Sequence, residues 1–295
     1  MALTLVLAAC GASPAPAPTP TPITPTPEVP PANALPVVDS IAIHGSRPNE
    51  PANFADANEA VTVSATVHDA ETPADQLQYA WTADVGTFSG TGAIATWTAP
   101  AGVPSPATVT ISLKVTENYG SRLQFAHSVD GSATLSLHDS VYEVGNMARQ
   151  FLLDFSDSSV PVDVVMRNFD LTCGPAQDER AQVANNRAKF HINRSAIGAA
   201  TVTVPFGNAF CPVPGRIQRG DACSAIPSHW ESTVLADGHS QIADGVDYVS
   251  AYYHPEVNAW KLCDSQFPGT CRDTTTGAGC SDLTASAFAR GLGGR

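Results

Sequence analysis

Between residues 61 and 137 apolar and polar positions alternate with a period of two. Val61, Val63, Ala65 and Val67 interleave with Thr62, Ser64 and Thr66, and Val109, Ile111, Leu113 and Val115 interleave with Thr110, Ser112, Lys114 and Thr116. This spacing turns one set of side chains to a buried face and the other to water, so it predicts half-buried strands. Leu77, Tyr79 and Trp81 make a third run, residues 94–98 a fourth, and Ala133, Leu135 and Leu137 a closing one. Turn-forming clusters separate the runs at Asn49-Glu50-Pro51, Glu71-Thr72-Pro73, Gly90-Thr91-Gly92 and Asn118-Tyr119-Gly120. Residues 37–137 therefore read as an all-β sandwich.

After Leu137 the period lengthens to about 3.6. Ser140-x-x-Glu143 reads as a capping box, and Val141, Val144, Ala148, Phe151, Leu152 and Phe155 form one helical stripe behind it, predicting a helix over residues 141–155. Pro161 suits a first helical position ahead of Val162, Val165, Met166 and Phe169. Residues 175–190 carry Asp178 and Glu179 early and Arg187 and Lys189 late, the charge order that suits a helix dipole. From there the pattern is strand-like at residues 200–204, 230–235, 246–253 and 257–263, the last two joined by His254-Pro255-Glu256. Helices followed by antiparallel strands predict an α+β domain over residues 138–295, with helices on one face of a curved antiparallel sheet. The chain thus reads as multidomain.

The N-terminus belongs to neither pattern. Residues 1–9 are an apolar signal segment that ends at Leu7-Ala8-Ala9-Cys10 and runs on into Gly11. This resembles the cleavage site of bacterial lipoprotein precursors, and the resemblance implies lipidation at Cys10, partnership with a membrane through that anchor, and a place in the bacterial cell envelope. Gly11 rather than aspartate after the cysteine implies the outer membrane by the same resemblance. Since a secretory leader opens with positive charge and none precedes this apolar run, the start is expected upstream of Met1. Residues 10–36 follow as a linker of Ala-Pro and Thr-Pro repeats, a semi-rigid spacer with a reach of roughly 80 Å.

Two further resemblances bear on the folded part. His68-Asp69-Ala70-Glu71, Leu77-Gln78-Tyr79-Ala80-Trp81, Gly86-Thr87-Phe88-Ser89-Gly90, Thr96-Trp97-Thr98-Ala99-Pro100 and Leu113-Lys114-Val115-Thr116-Glu117-Asn118 resemble the polycystic-kidney-disease-type (PKD) immunoglobulin-like modules of bacterial surface proteins. That likeness implies Trp81 as the core tryptophan of the third strand, without an inter-sheet disulfide. Phe151-Leu152-Leu153-Asp154-Phe155, Val164-Val165-Met166-Arg167-Asn168-Phe169 and Asn258-Ala259-Trp260-Lys261-Leu262 resemble the nuclear-transport-factor-2-like (SnoaL-like) cone fold. The six cysteines and the Pro/Gly-rich insert at residues 212–227 depart from that family.

A formal net charge of −13 and a pI near 4.8 exclude nucleic acid as an expected partner, because phosphate binding needs clustered Lys and Arg. Of seven cysteines, Cys10 is assigned to lipid. Cys173, Cys211, Cys223, Cys263, Cys271 and Cys280 remain as an even set of disulfide candidates, favoured over zinc because none forms a C-x-x-C pair. Only Cys271 with Cys280 suggests itself as a pairing.

Candidate chemistry is sparse. The chain lacks H-E-x-x-H, G-x-S-x-G, G-x-G-x-x-G and P-loop signatures, so no catalytic residue, resident metal or cofactor is assigned. His229, Glu231, His239, Asp244, Asp247, His254 and Glu256 are too scattered over strand and turn to read as a metal hydrolase. Asp69, Glu71, Asp84, Glu117 and Asn118 fall at strand ends, where some immunoglobulin-like modules gather calcium ligands. Trp230, Tyr248, Tyr252 and Trp260 are the ligand-binding candidates, with Tyr248 and Tyr252 on one face of a strand. The expected role is binding or structural, the sandwich acting as spacer and the C-terminal domain engaging a glycan, small molecule or protein. The alternative is an envelope enzyme, an isomerase, cyclase or hydrolase, with a pocket in the C-terminal domain.

Overall fold

The structure, a computed structural model, describes residues 32–120, 125–207, 209–211 and 218–280. The signal segment, Cys10 and most of the Pro-rich linker lie outside the described residues, as do residues 212–217 of the insert. Strands dominate, arranged in several sheets.

The N-terminal part contains β1 (Val37–His44), β2 (Phe54–Asp56), β3 (Ala60–His68), β4 (Gln78–Ala83), β5 (Thr87–Ser89), β6 (Ile94–Thr98), β7 (Ala107–Tyr119) and β8 (Phe125–His138). They form two four-stranded sheets, ordered β1-β3-β6-β5 and β2-β8-β7-β4. All pairings are antiparallel except that of β2, which runs parallel to β8 with Phe54 opposite Ser136 and Asp56 opposite His138. The alternation seen in the sequence explains the core. Val61 and Val63 of one sheet bury against Val109 and Ile111 of the other. The fully buried tryptophan is Trp97, not Trp81. Trp97 lies on β6 between two neighbouring strands and donates its indole N–H to the Val85 carbonyl at 3.0 Å. Trp81 lies on edge strand β4, so it is only half-buried and stacks on Phe88.

The C-terminal part runs α1 (Ser140–Ser156), α2 (Val162–Val165), α3 (Gly174–Lys189), β9 (Phe190–Ile197), β10 (Thr201–Thr203), β11 (Ala209–Cys211), β12 (Gln218–Gly220), β13 (Ala222–Val234), β14 (Ser240–His254), β15 (Ala259–Gln266) and β16 (Thr270–Asp273). β13, β14 and β15 form the middle of a six-stranded antiparallel sheet; β9 and β10 both pair with β13, and β16 pairs with β14. α1 and α3 lie on one face of this sheet. The predicted stripe of α1 buries Val144, Ala148, Phe151, Leu152 and Phe155 against Ile226, Trp230, Val249, Ala251 and Leu262.

Three local expectations need correction. The N-cap of α1 is Asp139, whose carboxylate accepts from the Tyr142 amide at 3.0 Å; Ser140 sits inside the helix, and Glu143 turns to His138 instead of closing a capping box. The second helix is a single turn. It stops because residues 168–170 pair with β15 through the Leu262 amide to the Asn168 carbonyl and the Asp170 amide to the Leu262 carbonyl, both at 2.8 Å. Val141, the first residue of the predicted α1 stripe, is exposed, so the buried stripe begins at Val144.

The cysteines pair as Cys173–Cys263, Cys211–Cys223 and the expected Cys271–Cys280. Three disulfides mark a chain that matures in an oxidising extracellular or periplasmic setting. No helix among the described residues is long and apolar enough to cross a membrane.

The two parts meet in a close-packed joint. Phe54 of β2 belongs to the C-terminal core, with its ring edge-on to Phe206 and Tyr253 at centroid distances of 5.3 and 4.8 Å. Beside it Arg47 pairs with Glu50 at 2.5 Å, Asp56 at 2.6 Å and Glu59 at 2.9 Å, and its guanidinium lies 4.8 Å from the Phe206 ring centroid.

Candidate functional site

The C-terminal sheet presents two chemically different faces, and strand alternation decides which residue goes where. Along β14, Asp247, Val249, Ala251 and Tyr253 point beneath the helices, and all four are buried. Tyr248 and Tyr252 point to the opposite, helix-free face and are half-buried. Cross-strand register places Ala225 beside Tyr248, Cys223 beside Ser250 and Lys261 beside Tyr252. Tyr248 packs against Cys211 and Cys223, whose disulfide fastens the β11–β12 hairpin over this face. Burial raises the Tyr252 hydroxyl above its ordinary pKa, helped by the nearby Asp221 charge and opposed by Arg219.

Trp230 and Trp260 do not join the tyrosines. Both are almost fully buried on the helix side: the ring of Trp230 meets Phe155 edge-on at 5.6 Å, and the Trp260 indole donates to Ser140 Oγ at 3.1 Å. They act there as core residues.

The histidines and acids of the predicted cluster separate into local pairs. On the helix-free face His229 Nδ1 is 2.6 Å from Asp244 Oδ1 and its Nε2 is 3.2 Å from Glu231 Oε1. Hydrogen bonds to these two carboxylates raise the pKa of the imidazole. His239 is engaged by Asp237 and Gln241, and His254 by Glu256 at 2.9 Å. Among the described residues no group of three or more His, Cys, Asp or Glu side chains is placed to hold a metal ion.

The calcium candidates are partly gathered at one end of the sandwich. Glu117 is completely buried and accepts from the Thr72 hydroxyl and the Asn33 amide. Asp69 accepts from the backbone amides of Glu71 and Thr72 at 2.9 and 2.7 Å, and Glu71 from that of Ala34 at 3.1 Å. Asp84 lies apart on the Thr110 amide, and Asn118 is an exposed residue of β7 opposite Ala126. In the structure these carboxylates accept from the chain's own amide and hydroxyl donors.

Beneath the helices sits a feature that the sequence does not single out. Asp247 Oδ2 accepts from Ser228 Oγ at 2.5 Å, and the Trp230 indole donates to the same Ser228 Oγ at 3.1 Å. Burial pushes the Asp247 carboxyl up to about 7 although hydrogen bonds from Ser228 and Trp230 pull the other way. Around it Phe151 and Phe155 of α1, Glu179 and Asn186 of α3, and Phe267 line a cavity of about 30 Å³, enough for a water or two. Glu179 and Asn186 lie on the buried stripe of α3, so that helix turns polar side chains toward the sheet. The legible signal was an acid at an inward position of a strand whose next inward residues are Val249, Ala251 and Tyr253.

Comparison with known protein families, characterised proteins and solved structures finds no match to this chain.

Proposed function

We propose that this chain is a lipid-anchored bacterial envelope protein with a binding role, tethered through Cys10 to the outer membrane and engaging a glycan through the helix-free face of its C-terminal sheet. The Pro-rich linker and a PKD-type immunoglobulin-like sandwich act as the spacer, and the C-terminal α+β domain, nuclear-transport-factor-2-like in its helix-on-sheet arrangement, carries the binding face. The observation that carries the reading is the pair Tyr248 and Tyr252, half-buried on the face left open by the helices, with Lys261 across the strand from Tyr252. Rings with polar edges beside charged hydrogen-bonding groups suit sugar rings, which offer apolar faces and hydroxyl rims. The three disulfides support an extracytoplasmic setting.

The test is co-sedimentation of the protein with insoluble cell-wall glycan. Tyr252→Ala should weaken retention by about 1–3 kcal/mol, roughly 5- to 150-fold, while leaving the fold intact. Failure of the unaltered protein to sediment, or equal retention of Tyr252→Ala, overturns the reading. Mass spectrometry of the native protein tests the anchor, which requires a diacylglyceryl-modified Cys10.

A second reading, an envelope isomerase, cyclase or hydrolase, draws on Asp247. A carboxyl held near neutrality among aromatic walls is suited to general acid or base work. Volume ranks it second. The cavity of about 30 Å³ is an order of magnitude below the roughly 300–1,000 Å³ of ligand pockets, so a substrate would have to part α1 and α3 from the sheet.

A further inference from the structure

The joint between the sandwich and the C-terminal sheet closes on one imidazole. His138, the last residue of β8, is almost wholly buried, and its ring stacks on Phe54 with centroids 4.9 Å apart and planes 11° from parallel. Nδ1 lies 2.8 Å from Glu143 Oε1 on α1. Nε2 lies 2.9 Å from Asn258 Oδ1, in the turn between β14 and β15, and 3.1 Å from Ser136 Oγ. The hydroxyls of Ser136 and Tyr253 donate to that same Asn258 oxygen at 2.5 and 2.6 Å, which fixes the amide with its oxygen toward the ring. Both ring nitrogens therefore face oxygen acceptors, an environment satisfied by the imidazolium, which donates twice. A neutral ring would turn a lone pair on the Glu143 carboxylate or the Asn258 carbonyl in a buried site.

From this geometry we infer that His138 is a proton-operated latch: the imidazolium holds the sandwich against the C-terminal sheet, and its deprotonation loosens the joint. The groups facing it come from both sides. Glu143 approaches from α1, Tyr253 from β14 and Ser136 from β8; Asp56 of β2 adds negative charge and is itself paired to Arg47 at 2.6 Å. Burial alone pushes the His138 pKa down, but the hydrogen bonds to Glu143 and Asn258 and the charges of Glu143 and Asp56 outweigh it and leave it raised. A raised folded-state value means that the stabilisation is complete below the ordinary histidine range and is lost as pH climbs through the folded value. An open groove of about 310 Å³, lined by Asn53, Phe54, Ser136, Tyr253 and Asn258, brings solvent to the edge of the network and gives water a way in when the latch releases.

The experiment follows the His138 ring by NMR across pH in the intact protein, together with the hydrogen-exchange protection factor of the Ser140 amide. That amide donates across the joint to Asp56 Oδ1 at 2.9 Å, and the Ile111 amide at the centre of the sandwich is the control. Expected are a His138 pKa above the ordinary value and a Ser140 protection factor that falls about tenfold for each pH unit between the ordinary and the raised value and levels off beyond it, while Ile111 stays flat. Glu143→Gln should lower the His138 pKa and, because the onset is set by the open state, end the fall at a lower pH and make it smaller. His138→Gln should abolish the pH dependence. If His138→Gln does not fold, the Glu143→Gln displacement decides alone. A His138 that stays neutral down to pH 5, or a Ser140 response that persists unchanged in either variant, overturns the inference.

Discussion

Asp56 caps α1 from outside the helix: its Oδ1 accepts from the Ser140 amide at 2.9 Å and from the Ser140 hydroxyl at 2.6 Å. The same carboxylate pairs with Arg47 through Oδ2, and Ser140 Oγ accepts from the Trp260 indole at 3.1 Å. A continuous hydrogen-bonded chain thus crosses from the sandwich to the C-terminal sheet, alongside the Phe54 ring.

Phe54 carries the apolar part of that joint, so its truncation should be felt only when both parts are present. Phe54→Ala should destabilise the full chain by about 3–5 kcal/mol in urea unfolding, the usual cost of emptying a buried aromatic site. In a fragment of residues 37–137, which should unfold cooperatively without any disulfide, the same substitution should cost under about 1 kcal/mol, because the ring there has lost its C-terminal partners. Equal costs in both would mean that the joint does not bury Phe54.

Asp247 sets a second pH dependence. With its pKa near 7 when folded and about 3.9 when unfolded, the native state keeps a proton that the unfolded chain releases, so stability falls as pH rises from about 4 to 7 and then levels off. The cost at neutral pH is at most about 4 kcal/mol. Asp247→Asn keeps the shape and removes the titration. Denaturant midpoints at pH 4.5 and 6.0, both below the range in which His138 titrates, should draw together in that variant, and the gain should appear chiefly at the higher pH.

The three disulfides should contribute unequally. Cys173–Cys263 closes the longest span, 90 residues apart in sequence, against 12 for Cys211–Cys223 and 9 for Cys271–Cys280. Loop-closure entropy then gives about 4–5 kcal/mol for the first and about 3 kcal/mol for each of the others. Paired Cys→Ala variants, unfolded under non-reducing conditions, check the ranking.

Gly86 is fixed by the tryptophan that fills the sandwich. Its φ of +82° is left-handed, and a Cβ there would lie 2.5 Å from Trp97 Nε1 and 2.6 Å from the Thr98 carbonyl. Gly86→Ala should cost more than about 2 kcal/mol, since left-handed strain and the clash add. Loss of the near-ultraviolet dichroism of Trp97 would accompany it.

Within the described residues, the sequence by itself determined β3, β4, β6, β7 and β8 of the sandwich, the positions of α1 and α3, and the inward stripe of α1 from Val144 onward. Those features follow from periods of two and 3.6, which are local and readable in a window of a few residues. It also pointed to six cysteines as a disulfide set and suggested one pairing, Cys271 with Cys280, leaving Cys211–Cys223 and Cys173–Cys263 open. Tertiary structure decided the rest. Trp97 rather than Trp81 became the buried tryptophan because edge position depends on strand order, which no window contains. Trp260 lies in the core and not on the tyrosine face because the β14–β15 register sets it opposite the inward-facing Tyr253, a pairing that no local window contains. Glu143, placed by the sequence in a capping box, instead meets His138, and Asp56 takes over part of the capping across the joint. Asp247 reads as one acid among several until α1 and α3 cover it, since its pKa is set by the water that those helices exclude. Charge, burial and hydrogen bonding at such sites are sums over neighbours that only the folded chain brings together.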